Sequence, residues 1–168
     1  SASFGSPTGL AVDGSGNVYV ADGGDAYRIR KITPSGSVTT LAGDSWGYAD
    51  GQGSSAKFYS PSGVAVDGSG NVYVADTHNH RIRKITPSGS VTTLAGSGSR
   101  GYSDGNSTSA SFNYPGGVAV DGKGNVYVGD TQNNRIRKIT PSGSVTTLAG
   151  SGSSAFADGQ GTSASFNG

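Results

Sequence analysis

Residues 71–85 read NVYVADTHNHRIRKI, and this stretch decides the fold twice over. Its apolar residues alternate on either side of a short polar turn, which is the pattern of a β-hairpin. It also recurs: NVYVGDTQNNRIRKI fills 125–139, and NVYVADGGDAYRIRKI fills 17–32 with one extra residue in the turn. A catalytic or metal site is usually built once, whereas a structural unit can be copied, so the stretch reads as architecture.

Working outward, AVDGSGNVYVAD begins at Ala11 and Ala65 and AVDGKGNVYVGD at Ala119, a spacing of 54 residues. ITPSGSVTTLAG stands unchanged from Ile32, Ile85 and Ile139. The chain is therefore one repeat domain of three units, approximately 7–60, 61–114 and 115–168, with a period in the range of solenoids and propellers. Glu, Met and Cys are absent and Leu occurs only at 10, 41, 94 and 148, while Val, Ile, Thr and Tyr stand in short runs between Gly, Ser, Asn, Asp and Pro. Helix is nearly excluded and the chain reads as all-β.

Each unit holds four strands. In the second they are Gly63 to Asp67, Asn71 to Asp76, Arg81 to Ile85 and Ser90 to Gly96, joined by hairpin-length turns into an antiparallel meander. Val72 and Val74 face one side and Tyr73 the other, so both faces of the sheet need cover. Four-stranded sheets stacked around an axis form a β-propeller. The small residues of the first strand suit its crowded centre and the Thr-rich fourth strand its wet rim. In the long connector between units, Phe4, Phe58, Phe112 and Phe166 recur, each three residues before a proline where the chain continues. Each is expected to wedge between neighbouring blades, because four exposed rings would be costly.

The segment PSGVAVDGSGNVYVADTHNHRIRKITPSG, 61–89, resembles the NHL repeat, with Asn79-His80-Arg81 in place of the Asn-His-Leu triplet that names it. All three units follow the spacing; the first departs in having GGDAY for the turn, and the third has Asn133-Asn134. The resemblance implies a propeller, usually of six blades, used mostly to bind proteins or RNA, with an amidating lyase among the few enzymes. The near identity of the copies is similar to that of designed or recently amplified repeats.

Chemistry is sparse. Only two histidines occur, His78 and His80, and their counterparts are Gln132 and Asn134 in the third unit and no imidazole in the first. Two imidazoles cannot supply a metal site's convergent ligands, so no metal, no cofactor and no catalytic residue is expected, and the lyase reading fails with them. Asp22 and Arg28, Asp76 and Arg81, and Asp130 and Arg135 bracket the same hairpin in each unit and are expected to pair across it. Asp13, Asp67 and Asp121 open turns in which a carboxylate bonds its own backbone; one carboxylate per turn is far short of a calcium site.

Twelve basic against eleven acidic residues give a net charge of +1, which lacks the basic excess of a nucleic-acid footprint. The three RIRK runs are the only candidate basic ring for RNA, and half of their residues should point into blade interfaces, so RNA stands only as a lesser alternative. No apolar run approaches the ~18 residues of a membrane span, and the start at Ser1 reads as a processed or excised segment.

Two segments vary between units: the turn after the second strand and the long connector. Alternate connections of a meander lie at opposite ends, so both belong to one face, and any ligand should bind there. The candidates are Asp25, Tyr27, Trp46, His78, His80, Arg100, Gln132 and Asn134. Three blades cannot close a ring, since propellers have about four or more. A homodimer of six blades is therefore expected, with either Phe4 or Phe166 displaced at each joint because their segments claim the same register. The expected function is a scaffold that closes on its own copy, with a protein-binding module as the alternative and RNA a lesser one.

Overall fold

In the computed structural model of the chain, residues 2–167 are described. Three antiparallel sheets follow one another. The first contains β1 (Pro7–Val12), β2 (Val18–Asp22), β3 (Arg28–Ile32) and β4 (Val38–Ala42) in that spatial order. After β5 (Gly51–Gln52) the second contains β6 (Pro61–Val66), β7 (Val72–Asp76), β8 (Arg81–Ile85) and β9 (Ser90–Ala95). After β10 (Gly105–Asn106) the third contains β11 (Pro115–Val120), β12 (Val126–Asp130), β13 (Arg135–Ile139) and β14 (Ser144–Ala149).

The connectors are more structured than the sequence suggested. β5 pairs with β9 through Gly51 opposite Val91, and β10 pairs with β14 through Gly105 opposite Val145. Each connector thus lays a fifth strand on the outer edge of the blade it leads into before turning inward. Among the described residues the first blade has four strands.

Local chemistry fixes the first turn of every unit. Asp67 accepts the backbone N–H groups of Ser69 and Asn71, both at 2.9 Å, through one carboxylate oxygen. Its other oxygen accepts the Asn71 amide at 2.8 Å and the Tyr73 hydroxyl at 3.0 Å. Asp13 and Asp121 repeat the arrangement. This is the turn function expected of these aspartates, with the tyrosine as an added partner.

β1, β6 and β11 lie side by side at the centre. A methyl group at Gly63 would collide with the Gly116 carbonyl oxygen, and one at Gly9 with that of Ser62, so glycine permits the close approach. Ser62 Oγ donates to Gly116 O at 3.0 Å and Thr8 Oγ1 to Ser62 O at 3.2 Å. Two apolar clusters fill the gaps between successive blades. In the first, Tyr19, Ala21, Ile29 and Ala42 of one blade meet Phe58, Val64, Val72 and Ile85 of the next. Phe58 and Phe112 are fully buried as the expected wedges. Each lies against the glycine that ends the preceding blade's outer strand, Gly43 or Gly96.

The expected Asp76–Arg81 pairing is corrected. The two residues stand opposite each other in the β7–β8 ladder, yet the carboxylate takes Arg83, at 2.7 Å, and in the third blade Asp130 takes Arg137, at 2.8 Å. In the first blade Asp22 faces Arg30 rather than Arg28, at 3.8 Å. Arg81 instead lies over the Tyr48 ring at 3.7 Å and donates to Ser97 O at 2.8 Å. The reason is depth. Arg83 sits two residues further into the blade, where its guanidinium is fully buried and needs a carboxylate, whereas Arg81 reaches the rim and can satisfy itself on carbonyls and an aromatic face.

The end blades each keep one uncovered face. Leu10 and Val12 on the first are 64% and 62% exposed. On the third, Tyr127, Gly129, Ile136 and Ala149 are partly exposed, while the same positions of the second blade, Tyr73, Ala75, Ile82 and Ala95, are buried. Phe4 and Phe166 are nearly equal at 36% and 38% exposure. The expected displacement of one of them concerns a joint that a single chain does not contain.

Candidate binding face

The variable turn after β7 is a 3-10 turn, Thr77–Asn79, and that after β12 is Thr131–Asn133. Each ends on a left-handed residue, His80 at φ 52° and Asn134 at φ 50°, with Tyr27 at φ 48° at the matching place in the first blade. The third unit's asparagine is the residue best suited to that conformation. His80 gains a compensating contact, because its Nδ1 accepts the Tyr114 N–H at 3.1 Å. Burial first, then the charges of His78 and Arg100, hold the His80 imidazole below its ordinary value, which keeps Nδ1 available as an acceptor.

The turns and connectors meet on one face, and there the rings form a ridge. Tyr27 packs edge-on to Tyr59 at 6.2 Å between centroids, and Trp46 lies 6.0 Å from the same ring. Tyr59 approaches His78 at 4.9 Å, His78 approaches Tyr114 at 5.2 Å, and Tyr114 meets His80 at 4.6 Å. Six aromatic or imidazole rings thus run across the first two blades up to the start of the third, and Trp46 remains 66% exposed.

Of the residues chosen from the sequence, Tyr27, Trp46, His78 and His80 are brought together in this ridge, with the exposed Arg100 acting on His80 through its charge. Gln132 and Asn134 lie outside it. Gln132 donates its backbone N–H to Asn113 O at 3.0 Å, and Asn134 lines a cleft with Arg135 and Phe166 beside the third blade's uncovered face. Asp25 is exposed on the wider first turn. Tyr59 and Tyr114 escaped the sequence reading. Both stand between the invariant Phe and Pro of the connector, where the copies differ (Gly5-Ser6, Tyr59-Ser60, Asn113-Tyr114), and that variation was the signal. Among the described residues no cluster of three or more His, Cys, Asp or Glu side chains could hold a metal ion.

The NHL repeat matches residues 4–32, 58–85 and 112–139, the same part of every unit and together half of the chain. The chain belongs to the NHL-repeat family. Its match in each unit ends at the third strand, so the fourth strand and most of the connector, with Trp46 and Arg100, lie outside the motif. This NHL-repeat chain is 37% identical over 152 residues to human NHL repeat-containing protein 2, covering 81% of itself and 21% of that protein. Among solved structures it resembles a structural genomics protein of unknown function from Bacteroides thetaiotaomicron, with TM-score 0.77 and 25% identity, over 97% of this chain and 40% of that one. An auxiliary nutrient binding protein from the same bacterium gives TM-score 0.69 and 27% identity, over 82% of this chain and 36% of that one. The NHL-repeat chain spans well under half the length of each of these relatives.

Proposed function

We propose that the chain is a non-catalytic half-propeller that closes into a six-bladed ring by pairing with a second copy. The observation that carries this reading is the complementarity of its two bare ends. The third blade leaves partly open the Tyr, Ile and Ala positions that cover a following blade elsewhere, and the first blade leaves open the Leu10 and Val12 positions that a preceding blade would cover. Two such contacts related by a twofold axis satisfy both ends at once, as isologous assemblies do. The near identity of the units fits amplification of one blade, by duplication or by design. Light scattering during size exclusion tests closure: a mass of two chains that holds on dilution supports it, and one chain at all concentrations rules it out.

A second reading is favoured by the ridge. In it the closed ring is a module that holds a protein ligand on the variable face, with Trp46 and Tyr59 at the contact. Exposed aromatic area of this kind is common at protein-binding hot spots, and a nutrient-binding relative shares the fold. Trp46 is the only tryptophan, so its emission reports directly on that face. A bound protein should shift the emission and be lost with Tyr59→Ala at unchanged ring mass.

A further inference from the structure

The interior joints show what a finished one contains. Arg83 Nη1 donates to Asp76 at 2.7 Å and to Lys57 O at 3.0 Å, and its Nη2 donates to Ala49 O at 2.7 Å and to Asp50 at 2.6 Å. Arg137 repeats all four with Asp130, Ser111 O, Ser103 O and Asp104. Two of the four acceptors come from the middle of the incoming connector and one from the residue before its Phe.

Arg30 stands in the same place in the first blade and has half of this set. It donates to Ser3 O at 3.2 Å and faces Asp22 at 3.8 Å. The Asp22 Oδ2 atom is buried and has no hydrogen bond. At the other end of the chain the missing half lies unused. Asp158 holds the register of Asp50 and Asp104, yet it is exposed and makes no ion pair among the described residues. Phe156, in the register of the tyrosines that stack on Arg81 and Arg135, is 89% exposed. The corresponding Arg28 has only Asp44, at 3.5 Å.

We propose that the C-terminal connector of one copy, residues 151–166, completes the first blade of a second copy and evicts that copy's Ala2–Phe4. The inference rests on the closure reading and names its joint. Asp158 takes Arg30, Phe156 covers Arg28, and Gly159-Gln160 pair with Val38 and Ser37 as the fifth strand that β4 lacks. Ser165 O replaces Ser3 O as the acceptor for Arg30, and Phe166 replaces Phe4 under the guanidinium.

The choice of the C-terminal segment over the N-terminal one follows from how each is held. A finished wedge has two walls, the preceding blade's glycine and the following blade's arginine, and each terminal Phe has one. Phe166 lies against Gly150, and Phe4 lies under Arg30 at 5.4 Å. Phe166 is fastened to its own blade as an interior wedge is: Ser151 N donates to Ala164 O at 2.8 Å, Ala155 N to Phe166 O at 3.2 Å and Ser165 N to Ala157 O at 2.9 Å. Ala2–Phe4 is held by the Ser3 carbonyl bond and the ring contact with Arg30, both of which the incoming segment reproduces. Eviction therefore exchanges equals, while the Asp158 pair and the added strand are net gains.

Sedimentation equilibrium on Phe166→Ala, Asp158→Asn and Phe4→Ala decides the joint. The first two should raise the dimer dissociation constant roughly tenfold or more, and the third should leave it unchanged or lower it. Asp158 and Phe166 are exposed or partly exposed in the single chain, so a thermal melt should show each variant folded. If Phe4→Ala weakens the dimer and Phe166→Ala does not, the N-terminal segment stays and the proposal is overturned. A stable wild-type dimer indifferent to both Asp158→Asn and Phe166→Ala overturns the joint but leaves closure standing. A monomeric wild type overturns both.

Discussion

Arg83 and Asp50 are 2.6 Å apart, although one lies in the second blade's third strand and the other in the connector arriving from the first. That contact, with the Asp76 pair behind it, makes a buried guanidinium the pin through which a connector is locked to the blade it enters. Burial pushes the Asp76 carboxyl up from its ordinary range, and the guanidinium and two further hydrogen-bond donors, the Tyr59 N–H and the Asn79 amide, pull against that.

Loss of the cation should therefore be severe. Arg83→Ala strands Asp76 in the interior and should lower the unfolding free energy by roughly 3–5 kcal/mol. Asp50→Ala removes a partner that is 43% exposed and should cost about 1 kcal/mol or less. Urea denaturation of the two variants measures the difference, and equal losses would contradict the depth argument.

The central strands make a second contrast. Gly63→Ala drives a methyl into the Gly116 carbonyl and should destabilise the fold by about 1–3 kcal/mol. Gly117→Ala, at the matching place in the third blade, meets nothing within 4 Å in the single chain. It should leave the monomer's stability unchanged and weaken closure, which thermal melts at low and high protein concentration would separate.

Acid should loosen the first turn of each unit. The Asn17 and Asn125 amides, ahead of the other donors, hold the carboxyls of Asp13 and Asp121 down at about 2, against an ordinary 3.8. The unfolded chain then binds the more protons between those values. The turns' stabilising contribution is complete above the ordinary value and is lost as the pH falls through the folded one. Asp13→Asn with Asp121→Asn should flatten the acid limb of a melting-temperature profile; an unchanged limb would show that other groups set it.

His80 should add a separate, milder step. Its folded pKa lies below 6.5, because burial disfavours the imidazolium and His78 and Arg100 add to it. The contribution is full above 6.5 and is lost as the pH falls through the folded value, when Nδ1 is protonated and the Tyr114 N–H loses its acceptor. His80→Asn, which copies the third unit, should abolish this step. Histidine ring NMR shifts followed through the titration would test it.

Much of the architecture was legible because its causes are local. The Asp67 turn is written in five consecutive residues, and the period-two runs around Tyr73 demand cover on both faces whatever the neighbours are. The Phe wedges could be read from recurrence alone. The fifth strands could not, since Gly51-Gln52 carries no strand propensity and pairs only because the next blade's β9 offers an edge. The ridge was half legible: variation marked the turns, but Tyr59 and Tyr114 were masked by their place beside invariant residues.

By itself, the sequence determined three copies of a β-meander and their turns, because periodicity and turn chemistry act over a few residues. The tertiary structure alone decided which arginine is buried and which carboxylate it takes. Arg81 and Arg83 are equivalent in alternation and lie on the same side of one strand, and only the depth of the blade around them separates a rim cation from a buried one.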